Sequence, residues 1–243
     1  MMKISQKSSE IILSDSFYKK NSEIERSYKI YLRNLIPNEK KLKILDIGSG
    51  TGLNASILKK RGHDLTCIDF SKEAIKKIKL KGFKAHLMNI EDGIRFKDKT
   101  FDVLFCSEVI EHLEDTNFFL KEAHRVLKKG GSLYLSTPNS SFWAFRIYSL
   151  FGKTLSEVQH DGHLRFFSKK SLLSFIKKSK FKLDFFFSRI IFIICPFDIN
   201  LLKFFGFKKE KRFKTNSFFW YLGFCCRYSS NFFSDDFIIK LKK

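Results

Sequence analysis

The stretch Lys43–Gly52, KILDIGSGTG, decides how the rest of the chain is read. A short apolar run carries Asp46 near its end and then meets three glycines, Gly48, Gly50 and Gly52. Such a run reads as a buried parallel strand. The glycines give a strand-to-helix turn the backbone angles that side chains resist, and they let a ligand approach the main chain closely. Dinucleotide-binding loops space their glycines G-x-G-x-x-G, and the third glycine of that pattern would fall here on Leu53. The spacing is instead G-x-G-x-G. Seventeen residues beyond Gly52, Asp69 lies at the end of a second apolar run, DLTCIDF, where a carboxylate can take both hydroxyls of a ribose.

Outward from this loop, strand and helix patterns alternate. LNASILKKRG reads as a helix, SKEAIKKIKLKG as a helix capped by Ser71, and FKAHLMNI as a third strand. TFDVLFCSE is a fourth strand, DTNFFLKEAHRVLKKGG a helix and SLYLSTPN a fifth strand. This rhythm predicts an α/β fold with a doubly wound, Rossmann-like, seven-stranded sheet. Residues 1–39 are read as an N-terminal helical extension, with a helix over 21–36 closed by Pro37. Residues 40–243 form the main domain, in which 139–234 make a helical, aromatic lid on the substrate side. Within that stretch SFWAFRIYSLFG and SKKSLLSFIKKSKF read as helices, the latter capped by Ser168, and KLDFFFSRIIFI as a strand. The terminal DFIIKLKK is an antiparallel strand expected to pair with KLDFFFS at the sheet edge.

Composition narrows the class less than the motifs do. The formal charge is +21, and from Lys169 onward there are 17 Lys and Arg against 5 Asp and Glu. Of 30 phenylalanines, 22 follow Asn139. A basic, aromatic region suits an anionic membrane surface or a nucleic acid. The same excess also follows from A/T-rich codons, which encode Lys, Phe, Ile and Asn alike. Five cysteines (Cys67, Cys106, Cys195, Cys225 and Cys226) make no C-x-x-C pair and leave an odd number, so a disulfide framework is not expected. The N-terminal MMKISQKSSEIILSD has no apolar core of a secretory signal, and charges interrupt every long apolar run. The expected location is cytoplasmic, peripheral to a membrane if the basic region serves that purpose.

ILDIGSGTG, CIDFS, MNIEDGIRFKDKTFDVLFCSEVIEHL and EAHRVLKKGGSLYLSTPN, in this order, resemble the successive motifs of class I S-adenosylmethionine-dependent methyltransferases. The resemblance is close over residues 40–140 and looser to about 182. It implies S-adenosylmethionine as cofactor. Asp46 and the loop Gly48, Ser49, Gly50, Thr51 and Gly52 would line its methionine part, Asp69 its ribose and Phe70 its adenine, with Ser107 also lining the site. Asn89, followed by Ile90, stands where the family commonly has an aspartate that contacts the adenine amino group; its oxygen can accept the same bond.

The acceptor side turns on FCSEVIEHLED, residues 105–115. If a helix follows the fourth strand, Glu108, Glu111 and His112 stand at i, i+3 and i+4 and share a face. Three readings follow. With His163 or His160 from QHDGHLRFF, the set holds a divalent cation such as Mg2+, as in relatives acting on polyprenyl catechols or on the terminal ribose of small RNAs. Without a metal, His112 or His163, with Glu111, does acid–base or orienting work. Thirdly, the carboxylates favour a helix N-terminus and His112 packs against the sheet. The leading expectation is O-methylation of a small-molecule, glycan or lipid-linked, quinone-precursor-like acceptor. The alternatives are a nucleic-acid methyltransferase and a cofactor-binding protein without transfer activity.

Overall fold

The computed structural model describes residues 32–159, 162–190 and 234–243. Five parallel strands, β1 (Lys43–Ile47), β2 (Asp64–Asp69), β3 (Lys84–Leu87), β4 (Phe101–Ser107) and β5 (Leu127–Pro138), are joined through α1 (Leu53–Lys60), α2 (Lys72–Leu80) and α3 (Thr116–Val126). Then come α4 (Trp143–Leu150), α5 (Leu155–Val158), α6 (Lys169–Lys177), β6 (Lys182–Ile190) and β7 (Ser234–Lys242). The seven-stranded sheet runs β3-β2-β1-β4-β5-β7-β6. Strand order reverses between β1 and β4, which opens a crevice at their carboxyl ends. The doubly wound, seven-stranded expectation therefore holds.

Capping follows the sequence closely. The Ser71 hydroxyl accepts from Ala74 N–H at the start of α2, and Ser168 and Ser171 cap α6 reciprocally. Because side chains alternate across a strand, β1 and β4 feed two cores. Leu45, Ile47, Leu104 and Cys106 pack on one face with residues of α3 and α6. Ile44, Val103 and Phe105 pack on the other with Ala55, Leu58, Ile75 and Ile78 of α1 and α2.

Three expectations shift. The helix read over 115–131 stops at Val126, because Leu127 pairs with Phe101 of β4 and a Cβ on Gly131 would lie 2.9 Å from the Asp102 carbonyl oxygen. That stretch is therefore the start of β5. The terminal strand β7 does pair antiparallel with β6, but it also pairs with β5 and so lies inside the sheet, while β6 forms the edge. Its Phe237, Ile238, Ile239 and Leu241 are fully buried, which an edge position would not provide. Of the helix read over 21–36, Leu32 to Asn34 are helical with Leu32 buried; residues 1–31 lie outside the described residues. So do His160, Cys195, Cys225, Cys226 and residues 191–233 of the lid. Among the described residues no helix is long and apolar enough to cross a membrane.

Arg125 holds the loop before β4. It donates to the Ile94 and Phe96 carbonyls, to Asp98 and to both oxygens of Glu122. Its hydrogen bonds keep the Glu122 carboxyl below its ordinary pKa, although burial opposes this. A depressed carboxylate stabilises the fold above the unfolded pKa, and that contribution is lost as pH falls through the folded value. Arg125→Met should cost about 3 kcal/mol in urea unfolding at neutral pH, because it leaves Glu122 without its counter-ion. The penalty should shrink toward low pH. An equal loss at all pH values would assign the effect to packing and to the bonds to the Ile94 and Phe96 carbonyls.

Candidate active site

Parallel strands bring the sequence-predicted cofactor residues to one end of the sheet. Asp46 and the glycine loop leave β1, Asp69 ends β2, Asn89 follows β3 and Ser107 ends β4. Gly48, Gly50 and Gly52 all have positive φ, at 65°, 57° and 86°. The loop is tied to its neighbours. Gly48 N–H and Ser49 N–H donate to the Ile68 carbonyl, and Ser49 Oγ donates to the Asp46 carbonyl. Asp69 takes the Gly50 N–H on Oδ2 and the Ser71 N–H on Oδ1, both at 2.9 Å. Lys81 Nζ donates to the Thr51 carbonyl.

Two observations fit an adenosine-bearing ligand at this end. A Cβ on Gly48 would lie 2.5 Å from Val109 Cγ2, so the loop and the segment after β4 touch across a cradle that only glycine permits. Phe70 is 40% exposed beside Asp69, a large apolar ring left at the surface where adenine would cover it. Asn89 Oδ1 accepts from Glu91 N–H and caps a single turn, Ile90–Asp92, with Ile90 buried.

On the acceptor side the helical spacing of Glu108, Glu111 and His112 does not materialise. Glu108 takes a left-handed φ of 56° and breaks the run; only a three-residue turn, Ile110–His112, follows. The two glutamates bond to adjacent residues of β5. Ser136 Oγ donates to Glu108 Oε1 at 2.8 Å, and Thr137 Oγ1 donates to Glu111 Oε2 at 3.0 Å. Neighbouring strand residues point to opposite faces, so the two carboxylates are reached from opposite sides of the sheet. Ser107 Oγ shares the Ser136 side at 3.0 Å.

What does converge is Glu111, His112 and His163, each offering a ligand atom within 4.8 Å of the others. The two imidazoles meet edge to face with centroids 4.8 Å apart. Glu111 is 1% exposed, and its Oε1 has no hydrogen-bond partner among the described residues. Burial pushes its pKa up to about 8, and Asp236 adds to this against the hydrogen bonds from its own backbone and Thr137. His112 Nδ1 lies 2.8 Å from the Gly162 carbonyl oxygen. A carbonyl can only accept, so Nδ1 carries the proton and Nε2 is the basic nitrogen. His163 Nδ1 lies 3.2 Å from Gln159 Oε1, the same arrangement on the second ring. A buried carboxylate and two imidazoles with a ligand atom each within 4.8 Å of the others are a donor set that fits a divalent cation, and one that fits proton transfer.

Thr137, Ser136, Gln159 and Arg165 did not emerge from the sequence reading. The one local cue was position: Thr137 lies in the STPN that ends β5, and Arg165 two residues after His163.

A methyltransferase-domain family matches residues 45–135. Among curated relatives, a ubiquinone biosynthesis O-methyltransferase of Pelagibacter ubique is 31% identical over 153 residues, covering 59% of this chain and 63% of that protein. A protein of the same description from Xanthomonas oryzae pv. oryzae is 27% identical over 151 residues, covering 58% and 63%. The matched region thus spans less than two thirds of these relatives. A crystal structure of an S-adenosylmethionine-dependent methyltransferase from Archaeoglobus fulgidus superposes with a TM-score of 0.61 at 20% identity, covering 89% of this chain and 93% of that one. At that identity the likeness speaks for the fold. The glycine loop, the strand order and the matched region agree: residues 45–135 match a methyltransferase domain, and the chain has the fold of S-adenosylmethionine-dependent methyltransferases of known structure.

Proposed function

We propose that the protein transfers a methyl group from S-adenosylmethionine to a hydroxyl oxygen of an amphiphilic, quinone-precursor-like acceptor. The observation that carries this is the Glu111–His112–His163 cluster: Glu111 and His112 lie on the loop after β4 whose Val109 touches the glycine loop, and His163 meets them from the segment before α6. The curated relatives' printed activity supports oxygen as the acceptor atom. Transfer from a sulfonium is an in-line displacement with a good leaving group, so alignment and timely deprotonation are what the protein must supply. The glycine loop and Asp69 would hold the methionine and adenosine ends, Phe70 would lie against the adenine, and Asn89 and Ser107 would line the same cleft. In this reading His112 Nε2 takes the acceptor proton. A divalent cation held by Glu111, His112 and His163 would lower the pKa of a bound hydroxyl. Glu108 serves instead through Ser136, on the other side of β5.

The acceptor's amphiphilic character rests on α4. No residue of this helix is buried, and Ile147, Tyr148, Leu150 and Phe151 are 43%, 52%, 84% and 80% exposed. Arg146 and Lys153 flank them, a combination suited to a lipid surface with anionic headgroups. The high positive charge favours a second reading, nucleic-acid methylation, which requires strongly salt-dependent binding.

The test incubates the purified protein with methyl-labelled S-adenosylmethionine and extract of the source cells, with and without chelator. Label in the organic fraction is expected. Its loss with chelator, and its parallel loss in Glu111→Gln and His163→Ala, would assign the cluster a metal; loss in the variants with persistence in chelator would assign it acid–base work, and persistence in both would leave it a structural role. Label confined to the aqueous or nucleic-acid fraction would overturn the lipid-linked acceptor, and no incorporation would remove the transfer activity.

A further inference from the structure

The segment Gly162–Phe167 is distant in sequence from the loop after β4, yet it runs along it. Leu164 N–H and Arg165 N–H both donate to the Glu111 carbonyl, at 2.9 and 3.0 Å. The Arg165 guanidinium continues the pairing: Nε donates to the Leu113 carbonyl at 3.0 Å and Nη2 to the Glu114 carbonyl. At the far end Ser140 N–H donates to the Phe167 carbonyl at 2.9 Å. Most of these bonds end on carbonyl oxygens of residues 111–114, which the short turn leaves without helical partners. The planar fork of an arginine suits two such acceptors better than the point charge of a lysine.

This pairing has a chemical consequence at the other end of the segment. It brings the Gly162 carbonyl to His112 Nδ1, and that contact decides which ring nitrogen is basic. We infer that Arg165 is a positioning residue that, by clamping its segment onto the loop after β4, sets the tautomer of His112 and seats His163 against it. The inference rests on the transfer reading for its catalytic consequence, whereas the tautomer itself does not depend on it.

The test uses full-length protein labelled with 15N at histidine and kept in chelator, with the His112 signals assigned by their absence in His112→Gln. Two-bond 1H–15N correlation reports which ring nitrogen bears hydrogen. Wild type is expected as the Nδ1–H form. Arg165→Ala is expected to shift His112 largely to the Nε2–H form, and Arg165→Lys to restore part of the Nδ1–H population. S-adenosylmethionine affinity should stay within about threefold in both, since Arg165 makes none of the cradle contacts described above. Where an acceptor is in hand, the catalytic rate constant of Arg165→Ala should fall about 100-fold, the cost of misplacing a reacting group by about 1 Å. An Nε2–H His112 in wild type, or an unchanged Nδ1–H form in Arg165→Ala, overturns the inference. If Arg165→Ala fails to fold, an unchanged tautomer ratio in Arg165→Lys overturns it equally. A wild type that binds cofactor and shows the Nδ1–H form but transfers no methyl group would overturn the transfer reading and leave the clamp standing.

Discussion

Replacing Gly48 by alanine should cost the fold about 2–5 kcal/mol and abolish saturable S-adenosylmethionine binding. Two penalties combine. Holding an L-residue at a φ of 65° costs about 1–2 kcal/mol. Forcing a methyl to within 2.5 Å of Val109 Cγ2 is overpacking, which costs about 1–3 kcal/mol more. Val109 is β-branched and leads directly into the Ile110–His112 turn, so it can yield only by moving the loop that carries Glu111 and His112. Urea unfolding and calorimetric titration of the cofactor check both effects. Val109→Ala in the same chain should recover the overpacking share, giving a coupling of at least about 1 kcal/mol in the double-mutant cycle. Additive losses would mean that the two residues do not press on each other.

Asp69→Ala should weaken S-adenosylmethionine binding by about 100-fold or more. Its two oxygens each accept a backbone N–H, from Gly50 and from Ser71, so the carboxylate closes the glycine loop onto the start of α2. Hydrogen bonds to a charged group are worth about 1.5–3 kcal/mol each, and an oxygen also has lone pairs to spare for ribose hydroxyls. Asp69→Asn is not a mild change here. The amide offers one acceptor oxygen and turns an NH2 toward one of the two N–H groups, setting donor against donor. Asn should therefore resemble Ala in a binding titration. An Asn variant within threefold of wild type would show that the carboxylate's two loop bonds are dispensable for the cofactor.

The arrangement of the candidate cofactor residues was legible in the sequence, because its determinants are local. Gly48, Gly50 and Gly52 announce a turn, Ser71 and Ser168 announce helix starts, and parallel strands carry Asp46, Asp69, Asn89 and Ser107 to one end without further instruction. The acceptor half was legible only in part. Helical spacing grouped Glu108 with Glu111, but a single left-handed residue at Glu108 sends the two carboxylates to different partners, Ser136 and Thr137. No periodicity signals such a residue when it is not glycine. The position of β7 was hidden for a different reason: a strand's neighbours depend on register across a hundred residues, and DFIIKLKK reads the same at an edge as inside.

That position of β7 also orders events on the ribosome. Synthesis is vectorial, and β5 and β6 leave the exit tunnel well before residues 234–242, the strand that joins them. Until then β5 lacks its outer neighbour and β6 has no neighbour in the sheet, so their unpaired N–H and C=O groups offer pairing sites to other chains. The nascent α/β unit up to β5 can form from local crossovers, while closure on the β6 side waits for contacts of high sequence separation. Slow translation through the Phe-rich stretch before Ser234 would prolong that interval, and a chaperone that shields the open edge of β5 would raise the yield of native protein.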